Sequence, residues 1–215
     1  MIRRTVPWQH DAMDQQVLSN GTIWLSPPTT DDIDTITECC QDPDIAEWVT
    51  IPVPYVRDSA VTFIEEMVGP GWAARSPTWA IRLRSDGPVV GMIGLGERDE
   101  SAAEIGFWLV SSQRSRGLMT QAVELVCEFG FRADGLALER IAWRAYVGNY
   151  ASAAVARRAG FRYEGLARLG SIQRGRRRDH WFAARLRTDP PGPADDWPAE
   201  FARVRTPIAQ TPGPA

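Results

Sequence analysis

Polar and apolar positions along the chain follow two periods, and each change of period marks an element. Thr78-Trp-Ala-Ile-Arg-Leu-Arg84 alternates with period two, as a half-buried strand does. Asp86-Gly87 is a turn signal, and Val89–Leu95 follows as a second strand with glycines nearby. Ala103–Val110 is the next, so these three read as an antiparallel meander. Upstream, Thr22–Leu25 is a short strand ended by Pro27-Pro28. Thr29, Thr30 and Asp31 are candidate N-caps for a helix with Ile33, Ile36 and Thr37 on one face, stopped by Gln41–Asp44. Residues 58–68 form a second helix, with Val61, Ile64 and Val68 at helical spacing. The strongest helix covers 115–132: Leu118, Ala122, Leu125, Val126 and Phe129 make an apolar stripe, with Gln121, Glu124 and Glu128 opposite. Arg140–Tyr146 is a strand, Tyr150–Ala159 a helix stopped by Gly160, and Phe161–Leu169 and Asp179–Leu186 are the last two strands. The order is strand, two helices, three strands, helix, strand, helix, two strands. It predicts an α+β fold with a mixed central β-sheet of about seven strands flanked by about four helices.

Composition sets the boundaries. A chain of 215 residues favours one domain with a proper core, placed at 20–188. Residues 1–19 are polar and irregular and are read as an N-terminal arm. Residues 189–215 hold seven of the sixteen prolines, which marks a proline-rich C-terminal tail outside the periodic region. No apolar run reaches the roughly 18–20 residues of a membrane span, and the N-terminus has no signal-peptide core, so the expected location is cytoplasmic. Net charge −3 and a sequence pI near 5.5 weigh against nucleic acid as the main partner. Cys39 and Cys40 are adjacent and there are only two histidines, which suits neither a disulfide framework nor a metal site. Lysine is absent, so a Schiff-base lysine and a P-loop lysine are both excluded.

One junction carries candidate chemistry. Gln113-Arg-Ser-Arg-Gly-Leu-Met-Thr120 lies between the strand ending at Val110 and the helix that follows. A helix start leaves backbone N–H groups unpaired and partly positive, and a diphosphate fits such a place. Gly117 lets the backbone approach phosphate oxygens, and Arg114 and Arg116 add cationic donors. About 30 residues later stands a second pattern, Asn149-Tyr-Ala-Ser152 with Gly160-Phe161 and Glu164-Gly165.

With Arg114, Gly117 and Met119 on the family's acetyl-CoA signature and the Asn149–Ser152–Gly160–Phe161 segment downstream, the chain resembles the GCN5-related N-acetyltransferase (GNAT) superfamily, in its RimJ/RimL (ribosomal-protein-alanine) branch. Met119 stands where the family has a small residue. The resemblance covers roughly residues 21–187 and also takes in Pro43 with Trp48, Glu104–Val110 and Gly175 to Asp179-His180. It implies a GNAT fold whose fourth and fifth strands, at 103–110 and 139–146, splay apart to form the cofactor gap. A pantetheine arm would enter that gap beside Trp108, Leu109 and Val110. The backbone of Ser115, Arg116, Gly117, Leu118, Met119 and Thr120, with Arg114, would hold the pyrophosphate. Asn149 would bridge the helix start and the pantetheine arm, and Ser152 and Val155 would lie along the cofactor.

The implied reaction is acetyl transfer from acetyl-CoA to a primary amine, without a metal. The oxyanion donor would be a backbone N–H near Val110. Ser152 is the candidate acid for the leaving thiolate, with Tyr146 as a rival; Glu104 is the candidate base. Each has a structural reading beside it: Ser152 and Asn149 as helix caps, Glu104 as a strand-edge carboxylate, Tyr146 as sheet packing. His180 reads as packed or surface, and Trp72, Trp79, Trp108 and Trp143 as core or acceptor-pocket lining. Arg174-Gly-Arg-Arg-Arg178 reads as a solvated hairpin loop. The acceptor is a protein N-terminus or a small-molecule amine, and a homodimer stays open. Two other functions remain in play: a non-catalytic acyl-CoA-binding or regulatory module, and an RNA- or ribosome-docking protein using the 174–178 arginines.

Overall fold

The computed structural model describes residues 13–96 and 99–202. In chain order the strands are β1 (Leu18–Ser19), β2 (Trp24–Ser26), β3 (Thr78–Arg82), β4 (Gly91–Gly96), β5 (Ala102–Leu109), β6 (Arg140–Tyr146), β7 (Arg162–Gln173) and β8 (Arg176–Leu186). The helices are α1 (Ile33–Cys39), α2 (Pro43–Trp48), α3 (Arg57–Thr62), α4 (Gly69–Ala73), α5 (Leu118–Phe131) and α6 (Tyr150–Arg158). The strands form one mixed sheet in the order β1-β2-β3-β4-β5-β6-β8-β7. Every neighbouring pair is antiparallel except β5 and β6.

The α+β architecture and the meander match the hydrophobic pattern, with two additions. The sheet has eight strands rather than seven, because Leu18–Ser19 of the polar arm pairs with β2. Two short helices join the four read from periodicity. The Gln41–Asp44 stretch that stops α1 also starts α2: the Asp42 side chain accepts the Asp44 N–H at 2.9 Å, and Pro43 takes the first turn, where its missing N–H is not needed. The helix expected over 58–68 runs on through a π turn, Phe63–Val68, into α4. That wide turn resets the register, so Pro70 falls in the first turn of α4 and breaks no helical bond.

Each face of the sheet carries helices. On one side α5 buries Leu118, Met119, Ala122, Val123, Val126, Cys127 and Phe129 against Ile93, Leu95, Ile105, Ile141 and Trp143, and α6 adds Ala153 and Ala156. Gly130 lets α5 lie close to β6, since a Cβ there would meet Ile141 Cδ1 at 2.9 Å. On the other side α1 and α3 bring Ile33, Ile36 and Ala60 to Ala80 and Met92. Buried Arg82 ties this side together: it donates to Asp32 Oδ2 (2.7 Å), Ser26 Oγ (2.9 Å) and Gly87 O (2.8 Å). A buried guanidinium with all three directions satisfied fixes the relative placement of α1, β2 and the β3–β4 turn.

The tail does not all lie outside the core. Trp197 and Phe201 are buried among Trp143, Tyr163 and Trp181, and the Trp197 indole N–H donates to Phe161 O at 2.6 Å. The described part of the arm docks as well, where the Trp79 indole N–H donates to Gln16 O at 2.8 Å.

Candidate active site

The parallel ladder between β5 and β6 ends early. It pairs Ala102 with Arg140 and runs as far as Ile105 with Trp143. The rest of β5 stays with β4 up to Gly91–Leu109, and the rest of β6 stays with β8 up to Tyr146–His180. A gap therefore opens inside the sheet, and it is the floor of a cleft of about 1780 Å³. Peptide groups alternate in direction along a strand. The Val110 N–H donates to Val90 O at 2.9 Å and so faces β4, which turns the Leu109 peptide toward the gap. Of the two backbone N–H groups at the end of β5, that of Leu109 therefore faces the gap and that of Val110 faces β4.

Alternation also assigns the side chains to two faces. Glu104, Ala142, Arg144, Tyr146, Phe182 and His180 share one face through successive register pairs. Trp143, which pairs with Ala183 and packs beneath α6, lies on the other. The Trp108 ring stands on the α1/α3 face and packs against the cluster containing Met92, so it reaches the cleft from the side opposite α6. Ser152 and Glu104 thus sit on opposite faces of the sheet, and both line the cleft.

The cradle at 113–120 has a distinctive backbone. Ser115 (φ 60°) and Gly117 (φ 75°) both take left-handed conformations. Alternating right- and left-handed residues point successive N–H groups into one concavity. Among the described residues, the backbone N–H groups of Ser115, Arg116, Gly117, Leu118, Met119 and Thr120 have no protein acceptor; the first helical bond is Gln121 N–H to Gly117 O. Leu118 and Met119 turn their side chains into the core. A methionine at 119 is therefore accommodated by the core, although the resemblance has a small residue there.

The arginines behave differently from the sequence reading. Arg114 lines the cleft, but its guanidinium donates to Leu109 O (3.0 Å), Asp44 Oδ2 (2.6 Å) and Asp42 Oδ2 (3.1 Å). It pins α2 to the end of β5. Arg116 is exposed, bonds to Gln113 and does not line the cleft; neither does Val110. From the hairpin side, Gln173 and Arg174 donate to Glu47 O and Ala46 O, while Arg178 pairs with Glu47 and lies over the rings of Trp48 and Tyr146. So α2 bridges the two rims of the cleft, and part of the arginine run serves as its clamp. The turn itself is tight, with Arg174 (φ 47°) and Gly175 (φ 76°) both left-handed.

On the α6 side, the Asn149 side chain caps the helix by accepting the Ser152 N–H at 3.1 Å. Ser152 Oγ in turn accepts the Trp143 indole N–H at 3.0 Å, which leaves the hydroxyl proton free to point elsewhere. Val155 and Ser152 both face the cleft, as do Ala199 and Glu200 of the tail. On the opposite face, Glu104 is ion-paired with Arg144. Sequence reasoning set His180 aside; the structure puts it in the cleft, 7% exposed, with Nδ1 2.8 Å from Ser171 Oγ. Burial, and then the charge of Arg144, hold its pKa below the usual imidazole value against the opposing pull of Asp179. The resemblance takes in Asp179-His180, but only the β6–β8 register, which sets His180 opposite Tyr146, shows that the ring borders the cleft. Among the described residues no cluster of three or more His, Cys, Asp or Glu could hold a metal ion, and no helix is long and apolar enough to cross a membrane.

A split parallel pair beside an acceptor-free run of N–H groups can be compared with known proteins. Residues 22–162 match the family model described as acetyltransferase (GNAT) domain. The Bacillus subtilis (strain 168) protein named "Putative ribosomal N-acetyltransferase YdaF" is 36% identical over 109 residues, 50% of this chain and 58% of its own length. A structure of Mycobacterium smegmatis RimJ in complex with CoA-disulfide shares the fold with a TM-score of 0.68 at 24% identity, covering 80% of this chain and 86% of that one. RimL, the ribosomal L7/L12 alpha-N-protein acetyltransferase, in complex with coenzyme A gives 0.72 at 19% identity, covering 80% and 98%. Family model, fold and gap agree: this chain belongs to the GNAT acetyltransferase family.

Proposed function

We propose that the protein is an N-acetyltransferase that moves an acetyl group from acetyl-CoA to a primary amine, a protein N-terminus or a small molecule, by direct attack in a ternary complex. The observation that carries this reading is the run of N–H groups from Ser115 to Thr120, without protein acceptors, at the mouth of the β5–β6 gap. Those groups fit a pyrophosphate, and they do so through backbone rather than arginine side chains. Solved structures of RimL with coenzyme A and of MccE with acetyl-CoA and AMP, which share the fold, support acyl-CoA as the donor. The ribosomal-protein names among the relatives favour a protein N-terminus as acceptor.

The donor's thioester supplies an activated acetyl group, and this chain's residues divide the remaining work by face. The Leu109 N–H, turned into the gap, stabilises negative charge on the carbonyl oxygen. From the α6 side Ser152 gives its hydroxyl proton to the departing sulfur and regains one from solvent, while Trp143 keeps Oγ in place. The amine comes from the α1/α3 face past Arg144, Tyr146 and Glu104.

The test is release of free thiol from acetyl-CoA against a mixed panel of peptides and amines, with mass spectrometry of the products. An acetylated amine appearing in step with thiol is the expected result. Saturable CoA binding without thiol release for any amine would replace this reading with a non-catalytic acyl-CoA module. Ser152→Ala is expected to lower kcat about tenfold, roughly 1.4 kcal/mol, because water can still protonate a thiolate. Its CoA affinity should stay near that of the parent protein; a fall in affinity with kcat unchanged would make Ser152 a binding residue only.

A further inference from the structure

We infer that His180 Nε2 takes the proton from the acceptor's ammonium, with Ser171 as the residue that positions it; this rests on the acetyl-transfer reading. The imidazole stands at the open end of the β6–β8 ladder, opposite Tyr146, on the face from which the acceptor comes. It is buried yet borders the cleft. Its Nδ1 edge is held by β7: Ser171 Oγ lies 2.8 Å from Nδ1, and the ring is so close to Gly170 that a Cβ there would meet Cε1 at 2.7 Å. Nε2 has no hydrogen-bond partner among the described residues and is not sealed from solvent.

A proton acceptor at Nε2 requires the proton on Nδ1, and in this role Nδ1–H is the donor to Ser171 Oγ, which lies 2.8 Å away and has lone pairs to accept it. The charged and titratable groups around the ring come from every neighbouring element: Arg144 and Tyr146 on β6, Glu104 on β5, Arg178 and Asp179 on β8, and Glu47 on α2, which pairs with Arg178. Asp179 accepts the Leu169 N–H at 2.7 Å, and Glu104 is engaged by Arg144. His180 Nε2 carries no hydrogen bond among the described residues and belongs to a residue that borders the cleft. Burial, with Arg144, keeps it neutral at neutral pH.

The step balances as follows. One ammonium N–H bond breaks, its electron pair stays on nitrogen and its proton goes to Nε2. The amine nitrogen then bonds the carbonyl carbon, the C–S bond breaks and sulfur leaves with the pair. The second nitrogen proton is lost as the amide forms. Sulfur takes its proton from Ser152, which regains one from solvent; the two amine protons go to solvent, the first through His180, and the net release is one proton.

The experiment uses the full chain. Only His10 and His180 are present, so nitrogen-15 imidazole spectra, with a His10→Gln variant for assignment, read the state of His180 directly. The expected neutral form carries its proton on Nδ1, and Ser171→Ala weakens that preference. With a reactive amine, kcat should rise with pH through the His180 transition, on the acid side of the usual imidazole range, and level off at neutral pH. His180→Gln should lower kcat about a hundredfold, abolish that limb and leave CoA affinity unchanged. A neutral ring protonated on Nε2 would overturn the proposal without reference to turnover, as would a His180→Gln protein that keeps both kcat and the limb. In that second case acetyl transfer itself stands. If instead the parent protein binds CoA and acetylates no amine, the transfer reading falls and this role falls with it.

Discussion

Trp197→Ala is expected to lower the unfolding free energy by about 3–5 kcal/mol, the usual cost of removing a large ring from a packed core. Trp197 is 8% exposed, although it lies in the proline-rich tail. Its ring centroid is 4.9 Å from Phe201, 5.5 Å from Tyr163 and 5.7 Å from Trp143. Truncation leaves a cavity bounded by these rings and strips Phe161 O of its indole donor. The consequence reaches the site, because Trp143 is the residue that holds Ser152 Oγ. Urea titration of the full-length variant measures the first effect. A loss below about 1 kcal/mol, typical of surface substitutions, would mean that the tail rings are not part of the core. Acyl transfer by the folded fraction measures the second, with a lower kcat expected at unchanged CoA affinity.

Gly117→Trp should raise the Kd for CoA by about 10²–10⁴-fold, corresponding to the loss of two hydrogen bonds to a charged group at about 1.5–3 kcal/mol each. The residue has φ 75°, and an added Cβ would meet no protein atom within 4 Å. Packing therefore does not require glycine here; the left-handed backbone and the open approach to the N–H groups do. Gly117→Ala separates the two causes. It carries the left-handed strain of about 1–2 kcal/mol but little bulk, so its effect on Kd should be much smaller. Calorimetric titration with CoA decides the matter. An unchanged Kd for the tryptophan variant would place the pyrophosphate elsewhere.

The α5 cradle shows how a site can be legible while its mechanism of binding is not. The Arg114–Gly117–Met119 pattern marks a phosphate-friendly helix start in the sequence alone. Yet arginine content suggested charged side chains as donors, and Asp42 and Asp44 turned out to hold Arg114 from another element. Long-range pairings of this kind leave no local signature. The same holds for α2: Asp42-Pro43 is a good helix start, but six residues are too few to give a periodic pattern. The arginine run at 174–178 is likewise partly explained by its reach to Ala46 and Glu47.

Local chemistry determined the major elements. The period-two run of β3, the apolar stripe of α5, the Asn149 cap of α6 and the left-handed stop at Gly160 follow from residues near in sequence. So does the concave run of N–H groups at 115–120, because its geometry comes from a few consecutive backbone angles. The tertiary structure decided which strands part company. It placed Ser152 and Glu104 on opposite faces, brought tail aromatics behind Trp143 and set His180 opposite Tyr146. These depend on register and on contacts between distant segments, where shifting a strand by one residue would exchange its faces, and no single segment of the chain encodes that choice.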